Sequence, residues 1–250
     1  MAVSFESKRC NVLVLGVMGH GKSTVANKIL CLTTLTGNEF RVESKPTAVT
    51  RSVSCKERVI EGPGKVMYSV KVVDTIGFSD PDSDPDETVK AIQTFFQDEV
   101  AEGVSLVLFV TCERRITEAL IETIERIKKH FKQISPMSAL VITHCELLDD
   151  AAREELVQKC KTSDAKHVRT VVDFMQKGIY TVGFPDLKTY KDKLREYLAE
   201  EMEKDVKQLH EVVYQSTKML ITSKMIFGEE LWEKVKRSKV SSSESGCSIM

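Results

Sequence analysis

Apolar and polar positions alternate along the chain in two rhythms that take turns. The run 11–15 is short and mostly apolar, which reads as a buried strand. The residues from Thr24 to Leu30 then continue as a helix. Residues 49–60 and 66–73 alternate like two strands, and Gly62-Pro63-Gly64 between them is a turn signal, so they read as a hairpin. A helix start follows at Asp84-Pro85-Asp86-Glu87, with Val89, Ile92, Phe96 and Val100 at helical spacing. The run 104–110 is almost wholly apolar. Ile116, Leu120, Ile124, Ile127 and Phe131 then mark an amphipathic helix. A strand over 137–143, helices within 149–160 and 164–176, and a short strand over 178–183 complete the alternation.

Strands alternating with helices predict an α/β fold. Its sheet is mostly parallel with helices on both faces, and the hairpin supplies one antiparallel edge strand. The rhythm changes at Asp186. Leu187, Leu194, Leu198, Met202, Val206, Leu209 and Val213 recur three, four or seven apart, predicting one long amphipathic helix to about 221. Its first half is expected to pack on the domain, and the rest to project, pack back or meet a partner. The expected division is a nucleotide-binding domain over 1–185, a helical extension over 186–237 and a flexible serine-rich tail over 238–250.

Candidate chemistry falls on the turns of this pattern. Gly16-Val17-Met18-Gly19-His20-Gly21-Lys22-Ser23 lies between the first strand and the first helix. It fits the phosphate-loop pattern G-x-x-x-x-G-K-[ST] at every fixed position. Glycines let successive N–H groups converge on an anion, and the helix start adds its unpaired N–H groups. Lys22 offers a mobile charge to the outer phosphates, and the Ser23 hydroxyl suits Mg²⁺. A chance glycine-rich turn would lack this strand-and-helix context. Gly16, Gly19, His20, Gly21, Lys22, Ser23 and Thr24 are therefore the phosphate-binding candidates. A loop and a metal of this kind imply a nucleoside triphosphate.

Asp74-x-x-Gly77 ends an apolar strand well downstream. That is where Mg²⁺ and a γ-phosphate are sensed: Asp74 through a metal-bound water, Gly77 through its N–H. The bland alternative is an ordinary turn after a strand. Thr50 is the candidate to complete the metal shell, which makes Ser23, Thr50 and Asp74 the expected metal set. Thr47 competes with it, and either also fits an ordinary strand threonine. Lys22 and Thr50 are the catalytic candidates. Thr143-His144-Cys145-Glu146 follows a buried strand, where sheet ligands sit. A carboxylate there accepts two hydrogen bonds from the N1 and N2 edge of guanine, which adenine lacks. Glu146 suits that role and His144 could stack on the base; a helix-capping turn is the plain alternative. Gly183-Phe184-Pro185 either lines the base pocket or simply turns into the long helix.

These motifs resemble those of the GIMAP/IAN immunity-associated GTPases, relatives of the septins and of chloroplast outer-envelope import GTPases. The resemblance spans about residues 10–220. It rests on Gly16–Ser23, Val49-Thr50-Arg51, Asp74-Thr75-x-Gly77-Phe78, Arg115-Ile116-Thr117-Glu118 and Thr143-His144. The departures are Ile76 where the family often has Pro, Glu146 where many GTPases have Asp, and Gly183-Phe184-Pro185 in place of an asparagine-containing segment. The resemblance implies a Ras-like core, GTP or GDP with Mg²⁺, dimerisation across the nucleotide face, and action at intracellular membranes. Phe78 stands after Gly77, where an apolar side chain cannot orient an attacking water, so slow hydrolysis is expected. A kinase or ATPase is disfavoured because no acceptor-site base is apparent.

Composition adds limits. The net charge of −1 gives no reason to expect a nucleic-acid partner. Seven cysteines, an odd number without a C-x-x-C pair, fit a reducing compartment better than a disulfide framework. No signal-peptide core or membrane span of roughly 18 apolar residues is expected. Cys247-Ser248-Ile249-Met250 fits a C-a-a-X box of the farnesyl type. Lys234, Lys236, Arg237 and Lys239 upstream would supply the second, basic membrane signal that one lipid needs. A chance tail cysteine is the alternative. The expected location is cytoplasmic, on the cytosolic face of a membrane.

Overall fold

A computed structural model describes residues 8–30, 40, 53–75, 90, 92, 103–112, 116–131 and 133–217. Among the described residues six strands form one sheet: β1 (Lys8–Gly16), β2 (Ser54–Glu61), β3 (Met67–Asp74), β4 (Leu106–Thr111), β5 (Ser138–Ile142) and β6 (Ile179–Thr181). Their order is β2-β3-β1-β4-β5-β6. All neighbours are parallel except β2 and β3, the hairpin pair, which are antiparallel with Ser54 opposite Asp74. The described helices are α1 (Lys22–Ile29), α2 (Glu118–His130), α3 (Asp150–Lys161), α4 (Lys166–Phe174) and α5 (Asp192–Ser216).

The central strands are buried on both faces, which is why they read as nearly continuous apolar runs. Their side chains still alternate. Leu13, Leu15, Val107, Phe109, Leu140 and Ile142 pack in one cluster with Leu120 and Ile124 of α2, Leu156 of α3 and Val171 of α4. The intervening Val12, Val14, Leu108, Val110 and Val141 join a second cluster with Val25 and Ile29 of α1 and Leu209 and Val213 of α5. The period-2 rhythm thus divides the strands between two helical layers. The predicted α/β fold, with a single antiparallel edge strand, is the fold observed.

Two expectations about the C-terminal helix change. The helix starts at Asp192, because Asp186 caps a separate short turn, its Oδ1 accepting the Lys188 N–H at 3.1 Å. And packing is not confined to the first half: Leu198 there is buried, and the second half packs as well. Leu194 is 49% exposed, whereas Leu209 and Val213 are buried against β1 and α1. The reason lies in the stripe itself: Leu198, Met202, Asp205, Leu209, Val212 and Ser216 run four or three apart, and Leu194 precedes the stretch that reaches the sheet. The helix expected over 84–100 falls mainly outside the described residues; Ile92, within it, is helical and buried.

Candidate functional site

The phosphate loop joins the C-terminal end of β1 to α1. Gly16, Gly19 and Gly21 have φ of 148°, 77° and 86°, a backbone region that side chains disfavour. Gly16 is doubly constrained, since a Cβ there would lie 2.2 Å from the Val110 carbonyl oxygen on β4. Gly21 caps α1, so the helix begins at Lys22 with its first N–H groups turned toward the loop. Lys22 is nearly enclosed, and its Nζ donates to the Val17 carbonyl at 3.1 Å. Burial pulls its pKa down to about 8, and the nearby Asp74 pulls it partly back.

Asp74 ends β3 beside the loop because β3 pairs with β1 and sets Asp74 opposite Val14. Its Oδ2 accepts the Ser23 hydroxyl at 2.6 Å. Its Oδ1 is buried with no hydrogen-bond partner among the described residues. Burial raises the Asp74 pKa, against the Ser23 hydroxyl and the Lys22 charge. A hydroxyl and a carboxylate side by side, with one carboxylate oxygen unpartnered, are hard oxygen donors that fit Mg²⁺. Thr75 anchors this corner, its hydroxyl donating to the Val14 carbonyl at 2.8 Å.

On the other side of the loop, β5 delivers Thr143. Its hydroxyl donates to the His20 carbonyl at 2.9 Å, which ties the phosphate loop to the segment after β5. His144 has φ of 59°, an unusual conformation for a histidine, and its side chain is exposed at the rim. Gly21, Thr24, Thr143, His144, Glu146 and Phe184 line one recess. The Glu146 Oε2 is buried with no hydrogen-bond partner among the described residues. A buried acceptor left unmet costs about 1–3 kcal/mol, so this oxygen is suited to a ligand's donor.

The residues read from sequence as one site therefore converge: Gly16, Gly19, His20, Gly21, Lys22, Ser23, Thr24, Asp74, Thr143, His144 and Glu146 lie along the carboxyl ends of β1, β3 and β5. Thr50, Thr47, Gly77, Phe78, Arg115 and Cys247 lie outside the described residues. Of the segment Gly183-Phe184-Pro185, Phe184 lines this recess, and Lys28 Nζ stands 5.7 Å from its ring centroid. Gly183 is required by close approach, because a Cβ there would sit 2.4 Å from the Glu146 Cα. Sequence reading missed Arg153 and Asp205, which join behind these loops with Arg153 Nη1 donating to Asp205 Oδ1 at 2.6 Å. The signal was an acid inside the apolar stripe of α5.

Sheet order, glycine loop, Lys22 and the Ser23–Asp74 pair define a phosphate-loop nucleotide-binding protein of the α/β class. The chain belongs to the AIG1 family, whose model matches residues 10–180; this is the immunity-associated GTPase group that the motifs resemble. Comparison with curated protein sequences finds no match. Among solved structures, the chain is similar to Toc33 from Arabidopsis thaliana. The dimerisation-deficient mutant of that protein aligns with a TM-score of 0.60 at 19% identity, over 85% of this chain and 86% of that one. Its complex with GDP and Mg²⁺ aligns with a TM-score of 0.60 at 18% identity, over 87% and 88%. The complex with Mg²⁺ and GMPPNP gives 0.57 at 18%, over 86% and 87%. At this identity the likeness establishes a shared fold.

Proposed function

We propose that the chain is a guanine-nucleotide switch that binds GTP and GDP with Mg²⁺, hydrolyses GTP slowly, and dimerises across its nucleotide face at the cytosolic surface of a membrane. The observation that carries the nucleotide part is the arrangement around Thr143: the glycine loop with Lys22 and the Ser23–Asp74 pair on one side, the unmet Glu146 Oε2 on the other. Family membership and the GDP- and GMPPNP-bound Toc33 structures support the same reading.

The roles follow from the geometry. The loop N–H groups hold the phosphates, and the Lys22 ammonium turns from the Val17 carbonyl to their anionic oxygens. Ser23 and Asp74, with Thr50 from outside the described residues, would hold Mg²⁺, which neutralises charge on the phosphates when bound. Glu146 accepts from the N1 and N2 donors of guanine, His144 stacks on the base, and Gly77 senses the γ-phosphate. Phe78 supports slow hydrolysis, since it can neither orient nor deprotonate water. Dimerisation is supported by Toc33, of which a dimerisation-deficient mutant exists. Membrane attachment rests on Cys247 and its basic neighbours in the sequence. Among the described residues no helix is long and apolar enough to cross a bilayer.

Phe78 also favours a second reading, a GTP-assembled membrane scaffold with negligible turnover. Turnover per chain measured over a concentration series, with sizing in GDP and in GMPPNP, separates the two. A switch gives slow turnover that rises with concentration and a larger species in GMPPNP. Turnover that is fast in dilute monomer contradicts both.

A further inference from the structure

Behind the recess, two charged side chains meet where neither touches the phosphate loop. Arg153 stands in the first turn of α3 and Asp205 in the middle of α5, and their side chains are 10% and 6% exposed. Arg153 Nη1 donates to Asp205 Oδ1 at 2.6 Å. Its Nη2 donates to the Cys145 carbonyl at 3.0 Å and its Nε to the Leu148 carbonyl at 3.1 Å. The other Asp205 oxygen, Oδ2, accepts the Gly183 N–H at 2.7 Å.

The endpoints of these bonds are what make the pair informative. Cys145 and Leu148 bracket Glu146. Gly183 precedes Phe184 and lies against the Glu146 backbone so closely that no side chain fits between them. The two loops forming the wall of the recess are joined by the Cys145 N–H to the Val182 carbonyl at 3.1 Å, and beyond that bond they are held through one guanidinium and one carboxylate. A plain packing strut between α3 and α5 needs none of this. Two buried charges are costly to desolvate, and a well-packed apolar pair holds helices together as well or better. An apolar pair cannot fix two carbonyls and one N–H in register.

We infer that Arg153 and Asp205 are positioning residues for base recognition. By clamping the segment 145–148 against Gly183, they aim the Glu146 carboxylate at the N1–H and 2-amino edge of a bound guanine nucleotide. This rests on the guanine reading above. Neither residue touches the nucleotide; both act through Glu146 and the Gly183-Phe184 turn.

The test compares GDP with inosine diphosphate, which keeps every group of GDP except the 2-amino donor. Dissociation constants for both, with Mg²⁺, are measured on the full chain as wild type, as Asp205→Asn and as the double variant Arg153→Met with Asp205→Leu. Thermal unfolding without nucleotide is recorded for each. The wild type should prefer GDP by at least about tenfold, the value of one hydrogen bond to a charged group. Asp205→Asn keeps the volume but puts an amino group, a donor, where one carboxylate oxygen accepts, so Arg153 Nη1 or the Gly183 N–H loses its acceptor. The apolar double variant leaves no buried charge unpaired but does leave the Gly183 N–H and the Cys145 and Leu148 carbonyls without these partners, so its melting temperature should fall, and binding is measured well below it. In both variants the preference for GDP should fall to about twofold, while inosine diphosphate binding, carried by the phosphates, changes by less than about threefold. A folded variant of either kind that keeps the wild-type preference overturns the positioning role. So does equal weakening toward both nucleotides, which marks a purely structural pair. A wild type that binds nucleotide with no preference for GDP overturns the guanine reading itself, and the positioning role with it.

Discussion

Lys22 is the residue at which burial and function oppose each other most directly. Its ammonium is enclosed by protein and its pKa is drawn down to about 8 from an ordinary 10.5. The sign of the consequence is fixed. Between about pH 8 and 10.5 the unfolded chain holds a proton there that the folded chain has lost. This residue's contribution to stability therefore rises with pH across that window, and below it the cost of burying the charge is constant. Nucleotide binding has the opposite slope. Phosphate oxygens favour the charged lysine, so binding takes up a proton once the free site has lost it. Affinity for GDP should be level below about pH 8 and fall above it, by at most about tenfold per pH unit. Titration calorimetry in buffers of different ionisation enthalpy reads the proton uptake directly. Lys22→Met should weaken binding and abolish this slope; a slope that survives it belongs to another group.

Gly183 gives a second residue-scale prediction. Its Cβ would meet the Glu146 backbone at 2.4 to 2.5 Å, and backbone cannot swing aside as a side-chain tip can. Gly183→Ala should destabilise the chain by about 1–3 kcal/mol, the usual cost of overpacking, and weaken guanine binding with it. Denaturant titration and GDP binding check the two effects separately. An alanine variant as stable and as tight as wild type would mean the 146 and 183 segments are not in contact.

At the scale of elements, the strands and the phosphate loop were legible because their signals are local. A strand buried on both faces is an apolar run, and Gly16–Ser23 is contiguous, so neither depends on distant partners. Asp74 was legible for the same reason, as the acid at the end of such a run. The long helix was legible as a period but not in its placement. The stripe specifies which residues face inward, whereas how far along the helix they are covered is decided by where α1 and β1 lie. Arg153 and Asp205 went unread because they are 52 residues apart and each sits among charged neighbours on its own helix. Burial separates their effects from those of the surface. Leu209→Ala should cost about 2–5 kcal/mol, while Leu194→Ala, at the exposed start of the helix, should stay within about 0.5 kcal/mol. Comparable losses at both positions would contradict the observed docking of α5.

For the whole molecule, the sheet gathers three loops from three strand ends into one face. The phosphate loop follows β1, Asp74 ends β3, and the Thr143–Glu146 segment follows β5, all at carboxyl ends as open α/β sheets present their ligands. The same face is the one proposed to meet a second copy, so occupancy and assembly would be coupled reciprocally. Sizing should then show GMPPNP promoting the larger species, and raised chain concentration should tighten nucleotide binding to the same degree. The most direct test of the central claim is competition on the full chain. Fluorescent GDP, bound in the presence of Mg²⁺, is displaced by unlabelled GTP or ATP. Recognition by Glu146 predicts displacement by GTP at concentrations at least about a hundredfold below those needed for ATP. Equal displacement by the two would contradict it.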